Sequence, residues 1–209
     1  MQNSFSYYYR SMFFRPGRAF DELMEDSHAL RFGIFALLIC AILYTLVYIF
    51  LIFGGGKPFE PWLIIPEDIY YNYNVFFLAP SMFMGWILAG GVVHLLSHNI
   101  RHNGSFEQLM AVLGFGIGIA SWTTGIHDLV TSFLGAIGVI NQNHYEAMLN
   151  SPTIWRTLLW IQFALYLTAF LIIFTKGIAS VYRLKKWPSF LLGLTAFMVY
   201  QLFFLIFNR

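Results

Sequence analysis

Residues 32–53 read FGIFALLICAILYTLVYIFLIF, a run of 22 residues without one charged side chain. An α-helix needs about 20 consecutive apolar residues to cross the hydrocarbon core of a bilayer, so this run predicts a transmembrane span. Four further stretches of the chain meet the same condition and predict further spans. They lie at residues 75–97, 109–138, 155–175 and 188–207.

The composition agrees with a chain whose surroundings are lipid. Of the 209 residues, 58% are hydrophobic, 20% are aromatic and only 11% are charged. A soluble domain carries about 25% charged residues, so an ordinary globular domain is excluded. The net charge of +2 gives no indication of a nucleic-acid partner. The one cysteine, Cys40, lies inside the first span and is expected to pack as a small hydrophobic residue.

These stretches predict an all-α fold, a bundle of five transmembrane helices. Backbone groups in hydrocarbon must be hydrogen-bonded within the segment, which helices achieve, and the runs lack the strict alternation of a β-barrel. The third stretch is too long for one straight span. It would be tilted, kinked, or a span followed by a short interfacial helix, because glycines interrupt it. These glycines are Gly114, Gly116, Gly118, Gly125, Gly135 and Gly138.

The segment before the first span, residues 1–31, is polar and carries no apolar core of a signal peptide. After Pro16 and Gly17 its apolar residues recur near helical spacing, which predicts a short helix lying on the membrane surface. The predicted organisation is therefore an N-terminal segment with an interfacial helix, followed by one transmembrane domain at residues 32–209.

The distribution of lysine and arginine predicts how the chain is oriented in a cytoplasmic membrane. With five spans, nine of the twelve Lys and Arg residues fall on the side of the N-terminus. Positively charged loops remain in the cytoplasm, so we expect a cytoplasmic N-terminus and a C-terminus outside.

Three histidines follow the second span at a spacing of four residues: His94, His98 and His102. Neighbouring pairs at this spacing share one helix face and can ligate one metal ion, for which zinc is the expected divalent cation. The missing ligands could come from Glu107, or from Glu25, Asp26 or His28. Two other interpretations remain open, which are a pH sensor and imidazoles resting at the lipid headgroups.

A second group of ionisable residues lies in the third stretch, where His127 and Asp128 interrupt an apolar run. Ionisable residues inside a span indicate a functional site by default, here an ion or proton site. The pair should lie near the outer surface, because His127 is 18 residues beyond Leu109, about 27 Å of helix. There Asp128 could instead form an ion pair with Arg156, and Glu67 or Asp68 could take part.

Three motifs in order resemble the bacterial branch of the Yip family of small polytopic membrane proteins. They are FFRPGRAFDEL from Phe13 to Leu23, HNGSFEQLMAVLGFG from His102 to Gly116, and VYRLKKWPSFLLGL from Val181 to Leu194. The resemblance implies five spans and a non-enzymatic role in organising or scaffolding a membrane. The Asp-Leu-aromatic-Gly-Pro motif of eukaryotic relatives is absent, so their contact with Rab GTPases is not transferred to this chain.

Three classes of function therefore remain, and we rank a non-enzymatic scaffold first. A small transporter or channel for a divalent cation or protons comes second, and an intramembrane enzyme third, because no catalytic residues form a recognisable pattern. The expected partners are the lipid bilayer, other proteins and further copies of the chain, since the glycines permit close helix contact.

Overall fold

The computed structural model describes residues 3–58, 61–98 and 104–208, and within these ranges the chain is helical without a β-strand. Four helices are long and apolar enough to cross a membrane, and a bent pair adds a fifth span if it is counted as one. The fold is thus the predicted polytopic helical bundle. Its helices are α1 (Phe5–Phe14), α2 (Pro16–Leu23), α3 (Ala29–Phe53), α4 (Tyr70–His98), α5 (Phe106–Ala120), α6 (Trp122–Ala136), α7 (Gln142–Asn150), α8 (Ile154–Tyr182) and α9 (Lys186–Asn208).

The long helices exceed the predicted spans. α4 and α8 have 29 residues each, which corresponds to about 43 Å of helix. The hydrocarbon core is about 30 Å thick, so these two helices extend into the headgroup region. α8 differs most from its predicted span, because it continues past residue 175 to Tyr182.

The spans alternate in direction, as contacts between them show. Gly33 of α3 lies against Ala111, and Gly54 lies against Gly135, so α3 runs parallel to α5 and α6. Gly193 of α9 lies against Thr175, and α9 runs antiparallel to α8. We call the end that holds α1, α2 and the starts of α3, α5 and α9 the proximal end. The distal end holds α7 and residues 54–58 and 61–69.

α5 is the central helix of the bundle, since twelve of its fifteen residues are buried. Glycines let α3 approach it closely: a Cβ at Gly114 would lie 2.5 Å from the carbonyl oxygen of Gly33. A Cβ at Gly118 would lie 2.5 Å from the carbonyl oxygen of Ala36. Small residues spaced by one helical turn permit such contact between transmembrane helices, where packing replaces the hydrophobic effect.

The long third stretch is kinked, which is one of the three arrangements expected for it. α5 and α6 meet at Ser121 with a bend of 44°. Two hydroxyls donate to carbonyls of the preceding turn, from Thr123 to Ala120 at 2.7 Å and from Thr124 to Ser121 at 3.4 Å. Such bonds compete with the backbone ladder and bend helices without proline.

Two short helices precede the first span, whereas the sequence predicts one. α2 begins with Pro16 and buries Ala19, Phe20 and Leu23, in agreement with the predicted apolar spacing. This apolar face packs on α8, where Phe20 lies against Gly177, and does not face lipid. The sequence pattern did not predict α1, which packs on α2 and α5.

Candidate functional site

The distal end contains a pocket of about 210 Å³ between α3, α6 and α7, which we call the distal pocket. Apolar and tyrosine side chains of α3 form one wall, and polar residues of α6 and α7 form the other. Its lining residues are Tyr44, Val47, Tyr48, Leu51, His127, Asp128, Thr131, Ser132, Gln142, Tyr145, Glu146 and Leu149. The predicted pair His127 and Asp128 therefore lines a cavity inside the protein.

His127 links two other polar side chains of the distal pocket. Its Nδ1 lies 3.0 Å from Oδ1 of Asp128, and its Nε2 shares a hydrogen bond of 2.7 Å with the Tyr145 hydroxyl. Both members of the pair are about one-third exposed, at 33% and 35%. A carboxylate, an imidazole and a phenol in series can bind a cation or exchange a proton with water in the pocket.

α7 adds a second acid to the pocket. Gln142 Nε2 donates to Glu146 Oε1 at 2.9 Å. Burial raises the pKa of Glu146, an effect that this hydrogen bond partly offsets. Gln142 Oε1 is buried without a hydrogen-bond partner among the described residues. Gly135 makes room for it, because a Cβ there would lie 2.7 Å from that oxygen.

The structure does not bring Arg156 to Asp128. Arg156 is exposed and donates to the carbonyl of Asn150 at 3.4 Å. No Asp128–Arg156 ion pair occurs in the described ranges, and the carboxylate of Asp128 faces His127 instead. Glu67, also considered as a partner, lies 3.7 Å from Lys57 on the exposed distal surface. The predicted bond between the third and fourth spans is therefore not formed by these charges.

Of the three histidines at the proximal end, His94 makes contacts other than those of a metal ligand. His94 Nδ1 shares a hydrogen bond of 3.0 Å with the Tyr182 hydroxyl, and its ring meets Phe106 edge to face at 5.4 Å. His98 is exposed at the end of α4, and His102 lies outside the described residues. Within those residues no three His, Cys, Asp or Glu side chains are grouped to hold a metal ion. The three-histidine zinc site stays a prediction.

Two of the four other suggested ligands, Asp26 and His28, contact each other. Asp26 Oδ1 accepts the backbone N–H of His28 at 2.8 Å and lies 3.4 Å from its Nδ1. Asp26 Oδ2 accepts a hydrogen bond from the Tyr8 hydroxyl at 3.1 Å. These bonds close the turn between α2 and α3, which is a structural use of the two residues.

The sequence did not indicate the partners of either histidine group. Tyr145, Glu146 and Gln142 lie in a polar segment that the apolar periodicity did not select. Asn141 is of a residue type that favours helix starts. In the structure its side chain accepts a hydrogen bond from the His144 N–H at 2.9 Å. Nothing in the linear order indicated that Tyr182, 88 positions away, would bond to His94.

Comparison with known proteins adds the family. The chain matches the family described as Yip1 domain over residues 10–207. No curated protein and no solved structure matches it. The match includes all of the long helices, the bent pair and α2, and it agrees with the resemblance drawn from the three motifs. The chain is a helical membrane bundle that carries this domain over nearly its whole length, and it therefore belongs to the Yip1-domain family.

Proposed function

We propose that this Yip1-domain protein is a non-enzymatic membrane-organising protein that expands one leaflet with α1, the first of its N-terminal helices. The observation that carries the proposal is the one-sided placement of α1 and α2, which fold onto the proximal end of the bundle. α7 at the other end is a single short helix. An amphipathic helix inserted on one side of a bilayer expands that leaflet and favours curvature.

The depth of α1 supports this role. Lys176 and Trp155 of α8 are 21 residues apart, about 31 Å of helix, which matches the hydrocarbon thickness and puts Lys176 near the proximal boundary. Val112 packs on Gly177 at this level. The Tyr9 hydroxyl donates to the Gly118 carbonyl at 3.3 Å, and Gly118 is about 9 Å further along α5 than Val112. This contact supports a position for α1 at the depth of a shallowly inserted interfacial helix.

The surface of α1 and α2 suits that position. Phe13 and Phe14 are 47% and 84% exposed, although both are large and apolar. Arg10 and Arg15 are exposed beside them, as is Arg18 at the start of α2. Aromatic rings that enter lipid next to arginines that reach the headgroups are typical of helices lying in the membrane interface.

The packed apolar core of the bundle favours a membrane-organising role over transport. Proximal to the distal pocket, the bundle is filled by Leu37, Phe115, Phe170 and Phe174, all without solvent exposure. A transported proton or cation needs polar groups or water along its path, because a charge in hydrocarbon is costly. On its proximal side, the distal pocket is therefore bordered by an apolar layer.

Transport of protons or a divalent cation is the second candidate function, and the distal pocket is the observation that favours it. Asp128, His127 and Tyr145 form a hydrogen-bonded series beside Glu146, a second acid, in this cavity. A movement of α6 relative to α5 at Ser121 would be needed to open the apolar layer.

The two candidates are separated by one reconstitution. Purified full-length protein is placed in unilamellar vesicles of phosphatidylglycerol and phosphatidylcholine. Vesicle diameter is measured by cryo-electron microscopy, and proton and Zn²⁺ entry by trapped dyes. We expect smaller vesicles as the protein-to-lipid ratio rises, and ion entry no faster than in protein-free vesicles.

Variants test the part played by α1. Phe13→Ala with Phe14→Ala should abolish most of the decrease in diameter, because the rings no longer enter the leaflet. Phe76→Ala is the control, since Phe76 is 76% exposed on the side of α4 and lies within a span. Unchanged vesicle size with wild-type protein would refute the proposal. Ion entry that His127→Asn abolishes would establish the second candidate instead.

A further inference from the structure

A second apolar cavity lies between the proximal halves of α8 and α9, and we call it the α8–α9 groove. Its volume is about 720 Å³, within the range of ligand sites, and it opens to the side of the bundle. Most of its lining is apolar, and two lysines complete it. The lining residues are Leu171, Ile172, Thr175, Lys176, Ala179, Leu184, Lys186, Trp187 and Phe190.

The floor of the groove is a close contact between the two helices. A Cβ at Gly193 would lie 3.1 Å from the backbone nitrogen of Thr175, so the helices touch at this level. Ile172 and Trp187 stand 46% and 75% exposed above the contact. In a membrane this exposed apolar surface faces acyl chains.

The charges of the groove are of one sign. Lys176 and Lys186 line it, and neither forms an ion pair in the described part of the chain. No Asp or Glu follows Glu146 in the sequence. On α2, which packs against α8, Glu22 is occupied by Arg18 at 2.8 Å and by the Tyr7 hydroxyl at 2.8 Å. Two unneutralised cations beside an apolar groove complement a ligand that has one anionic end and an apolar remainder.

The depth of the lysines agrees with a headgroup. Lys176 lies near the proximal boundary of the hydrocarbon core, as argued above from its distance to Trp155. Lys186 is the first residue of α9, and helix N-termini favour phosphate groups through their free N–H groups and dipole.

We infer that the α8–α9 groove binds one anionic phospholipid. Its phosphate lies between Lys176 and Lys186, and an acyl chain follows Leu171, Ile172 and Phe190. The site is independent of the proposed function, because it requires only that α8 and α9 cross the membrane. A failure to shrink vesicles would therefore leave it standing, and its own failure would leave the α1 proposal standing.

The chain provides a matched comparison for this site. The same two helices enclose a distal groove of about 510 Å³, which Trp160, Phe163, Leu167 and Met198 line without any charged residue. Trp187 and Trp160 thus report on two grooves of one helix pair that differ in charge. Lys185, next to Lys186 and absent from the lining of the α8–α9 groove, controls for general attraction of anionic lipid.

Quenching of tryptophan by brominated lipids tests the site in vesicles of full-length protein. The probes are dibrominated phosphatidylglycerol and dibrominated phosphatidylcholine with the same acyl chains. Subtracting the emission of the Trp187→Phe and Trp160→Phe variants isolates each reporter. At Trp187 we expect phosphatidylglycerol to bind about fivefold more strongly for each lysine, since a lysine near an anionic lipid surface contributes about that factor. At Trp160 the two lipids should quench equally.

Variants decide the outcome. Lys176→Gln with Lys186→Gln should bring the preference at Trp187 close to one, and Lys185→Gln should leave it unchanged. Equal preference at Trp187 and Trp160, or a preference that survives the double change, would overturn the lipid site. So would a Trp187 that neither lipid quenches, because a second copy of the chain would then cover the groove.

Discussion

At the scale of single residues, the ionisable side chains of this chain take their meaning from partners on other helices. His127 and Asp128 are neighbours in the sequence, yet Tyr145 of α7 completes their hydrogen-bonded series. His94 shares a helix face with His98, yet its hydrogen bond goes to Tyr182 of α8. His94 and His98 both lie on α4, and their spacing did not predict which side chains they contact.

The half-buried acid of α7, Glu146, leads to a prediction about pH. Burial raises the pKa of Glu146 above its ordinary value of 4.5, so the folded state holds this proton more tightly than the unfolded state. The resulting stabilisation of the folded state is complete below about pH 4.5 and is lost as the pH rises through the raised pKa. Glu146→Gln should remove this dependence. Thermal unfolding in detergent from about pH 4 to about pH 8 should show the wild-type Tm falling relative to that of the variant.

Glu67→Gln is the control for this measurement. Glu67 is 61% exposed and pairs with Lys57 at 3.7 Å, and a surface ion pair contributes little. Its unfolding temperatures should follow those of the wild type at every pH. Parallel profiles for the wild type and Glu146→Gln would show that the pKa of Glu146 is not raised in the folded protein.

At the scale of helices, the glycines of α5 act as contact points. The sequence showed their number, and the structure assigns them to different neighbours. Gly114 and Gly118 face α3, while Gly116 faces Phe174 of α8. This division lets α5 stay in the centre of the bundle with close neighbours on two sides. The function of a glycine here follows from the helix opposite to it.

Alanine at either α3-facing position should destabilise the bundle. Gly114→Ala and Gly118→Ala each place a Cβ 2.5 Å from a carbonyl oxygen of α3, and overpacking of this kind costs about 1–3 kcal/mol. Unfolding in dodecyl sulfate mixtures measures the loss. Gly91→Ala is the matched control, because a Cβ at Gly91 meets no atom within 4 Å. Equal losses in all three variants would mean that α3 and α5 are not in close contact.

At the scale of the molecule, the two ends of the bundle differ. The proximal end carries α1, α2, the unneutralised lysines and an apolar layer in the core beneath them. The distal end carries the pocket and a short helix. Nine of the twelve Lys and Arg residues belong to the proximal side of the predicted topology, which by the charge rule is the cytoplasmic side. We infer this orientation from charge, and the asymmetry of the ends is what the proposed function uses.

Cysteine labelling in whole cells tests the orientation. The background is Cys40→Ala, which removes the one cysteine, itself buried. Asp21→Cys on α2 and Ile64→Cys in the distal loop are both at exposed positions. A membrane-impermeant maleimide should label Ile64→Cys in intact cells and Asp21→Cys only after permeabilisation. The reverse pattern would invert the orientation, and labelling of both from one side would mean that α3, which lies between the two positions, does not cross the membrane.

The sequence by itself determined the class of the fold and the position of the long helices. Apolar runs such as residues 32–53 are too long and too free of charge for another solution, because lipid leaves the backbone no partners outside the helix. The three motifs also led to the family. These inferences succeed because each depends on a local pattern of residues.

Only the tertiary structure decided where the polar groups meet. The bend at Ser121, the packing of α2 on α8, the contact of His127 with Tyr145 and the groove between α8 and α9 all depend on residues far apart in the chain. Side-chain contacts between helices depend on rotation and depth, which hydropathy does not specify, because lipid and protein interior are equally apolar. For this reason the sequence could name His94 and His127 as candidates but could not predict their partners.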